Sequence, residues 1–95
     1  MEKFKNQIIM MKKIIMDILN DDPTVNFLAV RNCTDSLRTM CIMNGNIIMR
    51  IYEYDVEYEH ATKVFEEIIS LKQYTEGVQY YTTCTLKDME YILQY

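Results

Sequence analysis

The dipeptide Asn44-Gly45, flanked by runs of strand-forming residues, is the feature that most constrains how this chain folds. Asn-Gly is a preferred sequence of the two-residue turns that join antiparallel strands, because both residues tolerate positive φ. A turn closed on this pair sets Met43 opposite Asn46 and fixes the pairing of the residues behind them. The sequence therefore predicts two antiparallel strands, over residues 36–43 and 46–54.

A second turn, residues 32–35, follows another strand-forming run, residues 24–31. Closing the chain on all four turn residues sets Val25 opposite Ile42. The two turns then place one apolar set of side chains on a single face of a three-stranded meander, since opposite residues share a face. We expect this face to form the core, with Val25, Phe27, Ala29, Met40, Ile42, Ile47, Met49 and Ile51.

Apolar residues spaced three and four apart predict a helix over residues 2–20, which Asn20-Asp21-Asp22-Pro23 ends. Its apolar stripe comprises Phe4, Ile8, Met11, Ile14, Ile15, Ile18 and Leu19. A similar stripe predicts a second helix over residues 56–74. For that helix Asp55 is the expected N-cap, and Gly77 follows its end, where a left-handed residue is favoured.

The C-terminal part completes the predicted fold. Residues 78–84 predict a fourth strand, and Thr85 with Asp88 resembles the capping box of a short helix. Ninety-five residues, of which 49% are hydrophobic, suffice for one modest core. We therefore expect a single α+β domain over residues 1–95, in the order α-β-β-β-α-β-α. Its sheet is an antiparallel three-stranded meander extended by a fourth strand, with helices packed on it.

Residues 52–59 alternate between an aromatic or apolar side chain and a carboxylate. In a strand this alternation places the carboxylates in one row, about 6.6 Å apart, and the tyrosines on the opposite face. A helix that starts near residue 56 competes with this strand, and would place Glu57 and Glu59 in its first turn. The sequence leaves this choice open. The candidate partner-binding residues are Tyr52, Glu53, Tyr54, Asp55, Glu57, Tyr58 and Glu59.

Charge indicates what kind of partner such a row would bind. The net charge is −4, and residues 51–76 carry seven carboxylates against two lysines. An acidic surface argues against direct binding of nucleic acid and favours a basic partner protein. Residues encoded by AT-rich codons are abundant, which indicates an AT-rich genome such as that of a low-GC bacterium, its phage or a virus.

We therefore expect a small acidic protein-binding inhibitor, encoded by a phage or virus, that acts in the host cytoplasm. It would block a basic nucleic-acid-handling host or defence protein by imitating nucleic acid, as anti-CRISPR proteins of this general kind do. The alternative is a dimeric, chaperone-like or antitoxin-like protein that shields a client with a surface rich in Met and Tyr. A membrane span is not expected, because Lys12, Lys13 and Asp17 interrupt the apolar run of residues 8–19.

Residues typical of catalysis or metal binding are few. His60 is the single histidine, and Cys33, Cys41 and Cys84 lack the close pairing of structural zinc sites. The odd number of cysteines indicates a reducing compartment. We expect no enzyme, no cofactor and no metal. Catalysis by His60 or a cysteine remains an alternative, without a substrate to suggest.

A further alternative concerns the second face of the meander, on which Arg50 and Tyr52 lie together with apolar residues. Arginine and aromatic side chains on a sheet can stack on the bases of RNA. The same partly apolar face would equally suit coverage by a helix or by a second subunit.

Overall fold

A computed structural model of the chain describes residues 2–55, 57 and 59–95, with side chains from residue 6 onward. The helices are α1 (Glu2–Asp21), α2 (Leu71–Gly77) and α3 (Leu86–Leu93), and a 3-10 helix (Val78–Tyr80) follows α2. The strands are β1 (Phe27–Asn32), β2 (Ser36–Met43), β3 (Asn46–Asp55), β4 (His60–Ile68) and β5 (Thr82–Thr85). They form one antiparallel sheet in the order β4-β3-β2-β1-β5. The α+β fold is confirmed, with a four-stranded meander in place of three strands.

The hairpin predicted from Asn44-Gly45 is confirmed. Both turn residues have positive φ, 50° at Asn44 and 82° at Gly45. Met43 lies opposite Asn46, and the pairing continues to Ser36 opposite Glu53. This register is the predicted one at every position.

The pairing of β1 with β2 differs from the prediction by two residues. Ala29 lies opposite Met40, and the pairing extends until the Cys33 N–H donates to the Ser36 carbonyl at 2.9 Å. The turn is therefore the pair Thr34-Asp35, where the prediction used residues 32–35. Because the shift is even, it leaves each side chain on its predicted face.

The apolar face predicted as the core exists, but α1 and α3 cover the opposite face. The predicted face leaves Ile42 68% exposed, although Ala29 and Met40 on it are buried. Periodicity shows which residues share a face and does not show which face the helices take. The buried cluster comprises Met11, Ile14, Ile15, Ile18, Val25, Leu28, Leu37, Cys41, Met43, Tyr52, Cys84 and Met89.

The helix predicted over residues 56–74 is wrong over residues 59–70, because residues 60–68 form strand β4 and α2 begins only at Leu71. Ile51 pairs with Phe65 and Tyr52 with Lys63, so Val64 is the extra residue of a β-bulge. The bulge places Ala61 and Ile68, seven residues apart, on one face. Seven residues are also two turns of a helix, and the bulge therefore imitates a helical stripe.

The predicted helix ends are also corrected. Helix α2 begins after Ser70, whose hydroxyl accepts the Gln73 N–H at 3.1 Å, and Asp55 caps no helix in the described part of the chain. Gly77 is the last residue of α2 and has φ −90°, outside the left-handed region. At the C-terminus the prediction holds, because Thr85 and Asp88 form the capping box of α3.

Strands β4 and β5 lie at opposite edges of the sheet, so residues 69–81 must cross from one edge to the other. The Arg31 guanidinium lies 6.0 Å from the centroid of the Tyr80 ring. Arg31 points to the face opposite α1 and α3, since it alternates with Leu28 and Val30. The end of the crossing therefore lies against that face.

A buried arginine joins α1 to β3 and β4. Arg50 is 3% exposed; its Nη1 donates to Asp17 Oδ2 at 3.3 Å and to the Tyr52 hydroxyl at 2.9 Å. Its Nη2 donates to Asp21, and its Nε donates to Glu66 Oε1 at 2.7 Å. Burial lowers the pKa of this guanidinium, but the hydrogen bonds to Asp21, Tyr52 and Glu66 outweigh it and raise that pKa above its ordinary value.

This network answers the alternative of base stacking by Arg50 and Tyr52. Tyr52 is 1% exposed, and its hydroxyl donates to Asp17 Oδ2 at 2.6 Å. Both side chains are enclosed between α1 and the sheet, so neither is available to a base. Coverage of this face by a helix, which the sequence left open, is what the structure shows.

Asp22 links the end of α1 to the β2–β3 turn. Its carboxylate accepts the Asn44 N–H at 2.9 Å, the Thr24 hydroxyl at 2.6 Å and the Thr24 N–H at 3.0 Å. These hydrogen bonds, first of all that of the Thr24 hydroxyl, lower the pKa of Asp22. The same interactions account for the sharp end of the helix before Pro23.

Replacing Gly45 with Ala should lower the free energy of unfolding by about 1 kcal/mol, because an L side chain at positive φ is strained. No atom lies within 4 Å of the position that a Cβ would occupy at Gly45, so the loss reports on the backbone alone. Gly77→Ala is the matched control, equally open but at φ −90°. It should raise stability by about 0.5–1 kcal/mol. Urea unfolding followed by circular dichroism measures both, and a Gly45→Ala variant as stable as wild type would contradict the left-handed turn.

Acidification should destabilise the fold in part through Glu66. The hydrogen bond from Arg50 lowers the pKa of Glu66 in the folded state. The resulting stability is fully present above the unfolded pKa and is lost as the pH falls through the lower, folded pKa. The Glu66 side chain is 42% exposed, so after solvent screening we expect less than about 1 kcal/mol.

The measurement for Glu66 is the urea midpoint between about pH 7 and about pH 3. Glu66→Gln should show a shallower decline than wild type. Asp22 and Asp88, whose pKa values are also lowered by hydrogen bonds, contribute to the decline that remains in this variant. Glu90→Gln, at an exposed position of α3, should follow wild type. Parallel curves for wild type and Glu66→Gln would contradict this role.

Candidate functional site, an acidic cleft beside two turns

The alternation predicted for residues 52–59 holds as far as Asp55, the last residue of β3. Glu53 and Asp55 are exposed on the face opposite α1, as one row. The Asp55 carboxylate then accepts the Glu57 N–H at 3.0 Å, and Glu59, with φ 49°, completes the turn into β4. Glu57 and Glu59 lie in a turn, so for the described residues neither the longer strand nor the helix start is correct. Val56 and Tyr58 lie outside the described residues.

The β1–β2 turn lies beside the β3–β4 turn, because Ser36 pairs with Glu53. In an up-and-down meander these two turns fall at the same end of the sheet. Between them is an open cleft of about 780 Å³. Its lining comprises Thr34, Asp35, Glu53, Tyr54, Asp55, Glu57, His60, Thr62 and Val64.

Four carboxylates surround this acidic cleft. Asp35, Glu53, Asp55 and Glu57 are all exposed, and they come from both turns and from the end of β3. Among the described residues, Asp35, Glu53 and Glu57 form no ion pair. Like charges that converge on a concave surface add their potentials and attract cations or basic groups. The cleft is thus suited to bind lysine or arginine side chains.

The predicted tyrosine anchors have different positions. Tyr54 is half-buried and lines the acidic cleft, and its hydroxyl lies 3.1 Å from Asn32 Oδ1 and 3.4 Å from the Cys33 carbonyl oxygen. These contacts hold the β1–β2 turn against β3. Tyr52 lies in the core, and Tyr58 is outside the described part of the chain.

The structure therefore brings Glu53, Tyr54, Asp55 and Glu57 together and leaves Glu59 in the turn outside the cleft lining. It adds Asp35, which the sequence analysis assigned only to a turn, and His60, which pairs across from Asp55. The signal for Asp35 was present in the predicted β2–β3 register, which pairs Ser36 with Glu53, whereas the signal missing for His60 was strand β4. Once residues 60–68 are recognised as a strand, the meander requires both turns to meet at one end of the sheet.

The described residues give little support to catalysis by a cysteine or to metal binding. Burial raises the pKa of the Cys41 thiol and of the Cys84 thiol to about 11, so both are protonated at neutral pH and poor nucleophiles. Cys33 is half-buried, and all three cysteines are free. Within the part of the chain that the structure describes, no group of three His, Cys, Asp or Glu side chains is placed to hold a metal ion.

Comparison of the chain with protein-family models, with curated proteins and with solved structures found no match. Among the described residues, no helix combines the length and the apolar character needed to cross a membrane.

Neutralising one carboxylate of the acidic cleft should not destabilise the fold. Glu53→Gln should raise the free energy of unfolding by a few tenths of a kcal/mol at low salt, because it reduces repulsion among like charges. The gain should disappear at high salt. Glu76→Gln, on α2 away from the cleft, should show no such salt-dependent gain. Urea unfolding at two salt concentrations measures this, and a loss of stability in Glu53→Gln would show that Glu53 has a structural role.

Proposed function

We propose that this chain is a small protein-binding inhibitor that uses its acidic cleft to engage a basic surface of a nucleic-acid-handling host or defence protein. The observation that carries the proposal is the convergence of Asp35, Glu53, Asp55 and Glu57 on one open cleft. These carboxylates are exposed, and the paired strands and the two turns place their backbones side by side before the partner binds.

The geometry of the row supports imitation of a phosphate backbone. Glu53 and Asp55 are two residues apart on one face of β3, which separates them by about 6.6 Å. This separation is close to two nucleotide rises of about 3.4 Å along one strand. A protein surface that binds phosphates with Lys and Arg offers charge complementary to such a row.

Tyr54 supports the acidic cleft from the other side of the sheet. Its ring lies on the α1 side, packed against the core, and its hydroxyl contacts Asn32 and the Cys33 carbonyl. These contacts fix the β1–β2 turn against β3 before a partner binds, which reduces the conformational entropy lost on binding. The exposed carboxylates of the cleft would steer a basic partner and make the association rate fall with salt.

The source of the chain is part of the proposal. The residue composition indicates an AT-rich genome, and we propose a phage or virus whose product acts in the host cytoplasm against a defence protein, as anti-CRISPR proteins do. A small acidic protein that occupies a nucleic-acid-binding surface would inhibit by competition, without a cofactor or a catalysed reaction.

An affinity pull-down from a nuclease-treated lysate of a low-GC bacterium tests the proposal. Asp35→Lys/Glu53→Lys reverses two cleft carboxylates that form no ion pair among the described residues. The control, Glu76→Lys/Glu90→Lys, makes the same change of charge at exposed positions of α2 and α3. Wild type and control should retain a basic nucleic-acid-binding protein that the cleft variant loses, with affinity reduced at least about tenfold.

Two further measurements, displacement by DNA and circular dichroism, complete this test. Added single-stranded DNA should displace the retained protein if the acidic cleft and nucleic acid bind the same surface. Circular dichroism should show that both double variants remain folded. Retention of the same proteins by all three chains, or retention insensitive to DNA, would contradict the proposal.

A further inference from the structure

Strand β4 is an edge strand with unusual exposure. It spans His60–Ile68, nine residues, and in the described part of the chain it has a strand on one side only. Apolar side chains along it are exposed: Val64 by 48%, Phe65 by 45% and Ile68 by 64%. Long, apolar edge strands are templates for pairing with another chain.

The register shows which backbone groups of β4 point away from β3. The Ile69 N–H donates to the Ile47 carbonyl at 2.9 Å, so alternate β3 residues from Ile47 onward direct their backbone groups at β4. The β4 residues that do not face them direct their N–H and C=O groups away from the sheet. These outward residues are Ala61, Lys63, Glu66 and Ile68.

The outward residues form a symmetric pattern. Ala61 and Lys63 are two residues apart, as are Glu66 and Ile68, and the bulge at Val64 separates the two pairs. A two-fold axis between Val64 and Phe65 therefore exchanges the two pairs. In that register the outward backbone groups of two β4 strands meet, and side chains that face each other come from the same side of each sheet.

We propose that two copies of this chain pair through β4 in this register. The two five-stranded sheets then join into one antiparallel sheet of ten strands, five from each copy. Ala61 lies opposite Ile68 of the second copy, and Lys63 lies opposite Glu66 of the second copy. This inference does not rest on the partner proposed for the acidic cleft, although Thr62 and Val64 of β4 also line that cleft.

Charge complementarity favours the second copy as the occupant. Lys63 and Glu66 already lie 3.4 Å apart within one chain, on the face that packs on α1. The two-fold axis places Lys63 of each copy opposite Glu66 of the other, so the dimer contains two such pairs of opposite charge. A lysine or a bulge on an edge strand often prevents that strand from pairing with another chain. Here the lysine meets a glutamate, and the two bulges coincide, so neither feature opposes this register.

Apolar complementarity acts in the same place. On the open face of the sheet, Val64 lies opposite Phe65 of the second copy, so the axis gathers both pairs of these exposed side chains. On the other face, Ile68 meets Ala61, the half-buried residue of β4. Pairing thus covers the three large apolar side chains that β4 exposes.

Sedimentation equilibrium over a concentration series tests the association. Wild type should shift from 11.4 kDa to twice that mass. Lys63→Glu replaces two attractive cross-strand pairs by repulsive ones and should raise the dimer dissociation constant at least about tenfold. Lys72→Glu, the same change on α2, should leave it unchanged. A monomer at every concentration, or a dimer that Lys63→Glu does not weaken, would overturn the proposal.

Cysteine cross-linking tests the register independently of stability. In a Cys33→Ser background, Val64→Cys and Phe65→Cys chains mixed under air oxidation should form an intermolecular disulfide, because these positions face each other. Val64→Cys mixed with Thr62→Cys should form none, since Thr62 faces Glu67 of the second copy. Equal cross-linking of both mixtures, or of neither, would overturn the proposed pairing.

Discussion

The burial of Arg50 decides how the helices and the sheet fit together. A guanidinium enclosed in a protein interior is tolerated when carboxylates and hydrogen-bond acceptors surround it. Asp17 and Asp21 from α1 and Glu66 from β4 provide them, together with the Tyr52 hydroxyl. If α1 packed on the other face of the sheet, Arg50 would lose the two carboxylates of the helix. The arginine therefore fixes both the face that α1 covers and the direction in which it crosses β3 and β4.

The acidic cleft follows from that choice of face. Arg50, Tyr52 and Tyr54 alternate along β3 on the side of α1, so Glu53 and Asp55 are directed to the open side. The turn that contains Glu57 and the tight Thr34-Asp35 turn then bring further carboxylates to the same end of the sheet. Arg50 forms its ion pairs with Asp17, Asp21 and Glu66. It therefore does not neutralise the carboxylates of the cleft, which carries a negative potential.

Sequence patterns predicted the parts of the fold that local chemistry controls. Asn44-Gly45 determined one hairpin with its register, Asn20 to Pro23 ended α1, and Thr85 with Asp88 began α3. The face covered by helices was mistaken, because both faces of the meander are apolar and a buried arginine does not look like a core residue. Strand β4 was mistaken because its bulge shifts the alternation by one residue. The cleft was half predicted for the same reason, because His60, Thr62 and Val64 line it only when residues 60–68 form a strand.

Strand alternation separates the charged groups of the two inferred binding surfaces, although Thr62 and Val64 of β4 belong to both. The cleft carboxylates Asp35 and Glu53 lie in the β1–β2 turn and on β3, one strand or more away from the free edge. The charges proposed for self-pairing, Lys63 and Glu66, lie on the face that packs on α1, opposite to Glu53. A substitution that changes the charge of one surface therefore affects binding at the other only through the thickness of the sheet. Salt screens this electrostatic effect. Neighbouring residues of a strand face opposite sides of the sheet. One small sheet can therefore pair with a second copy through β4 and bind a basic partner in the acidic cleft.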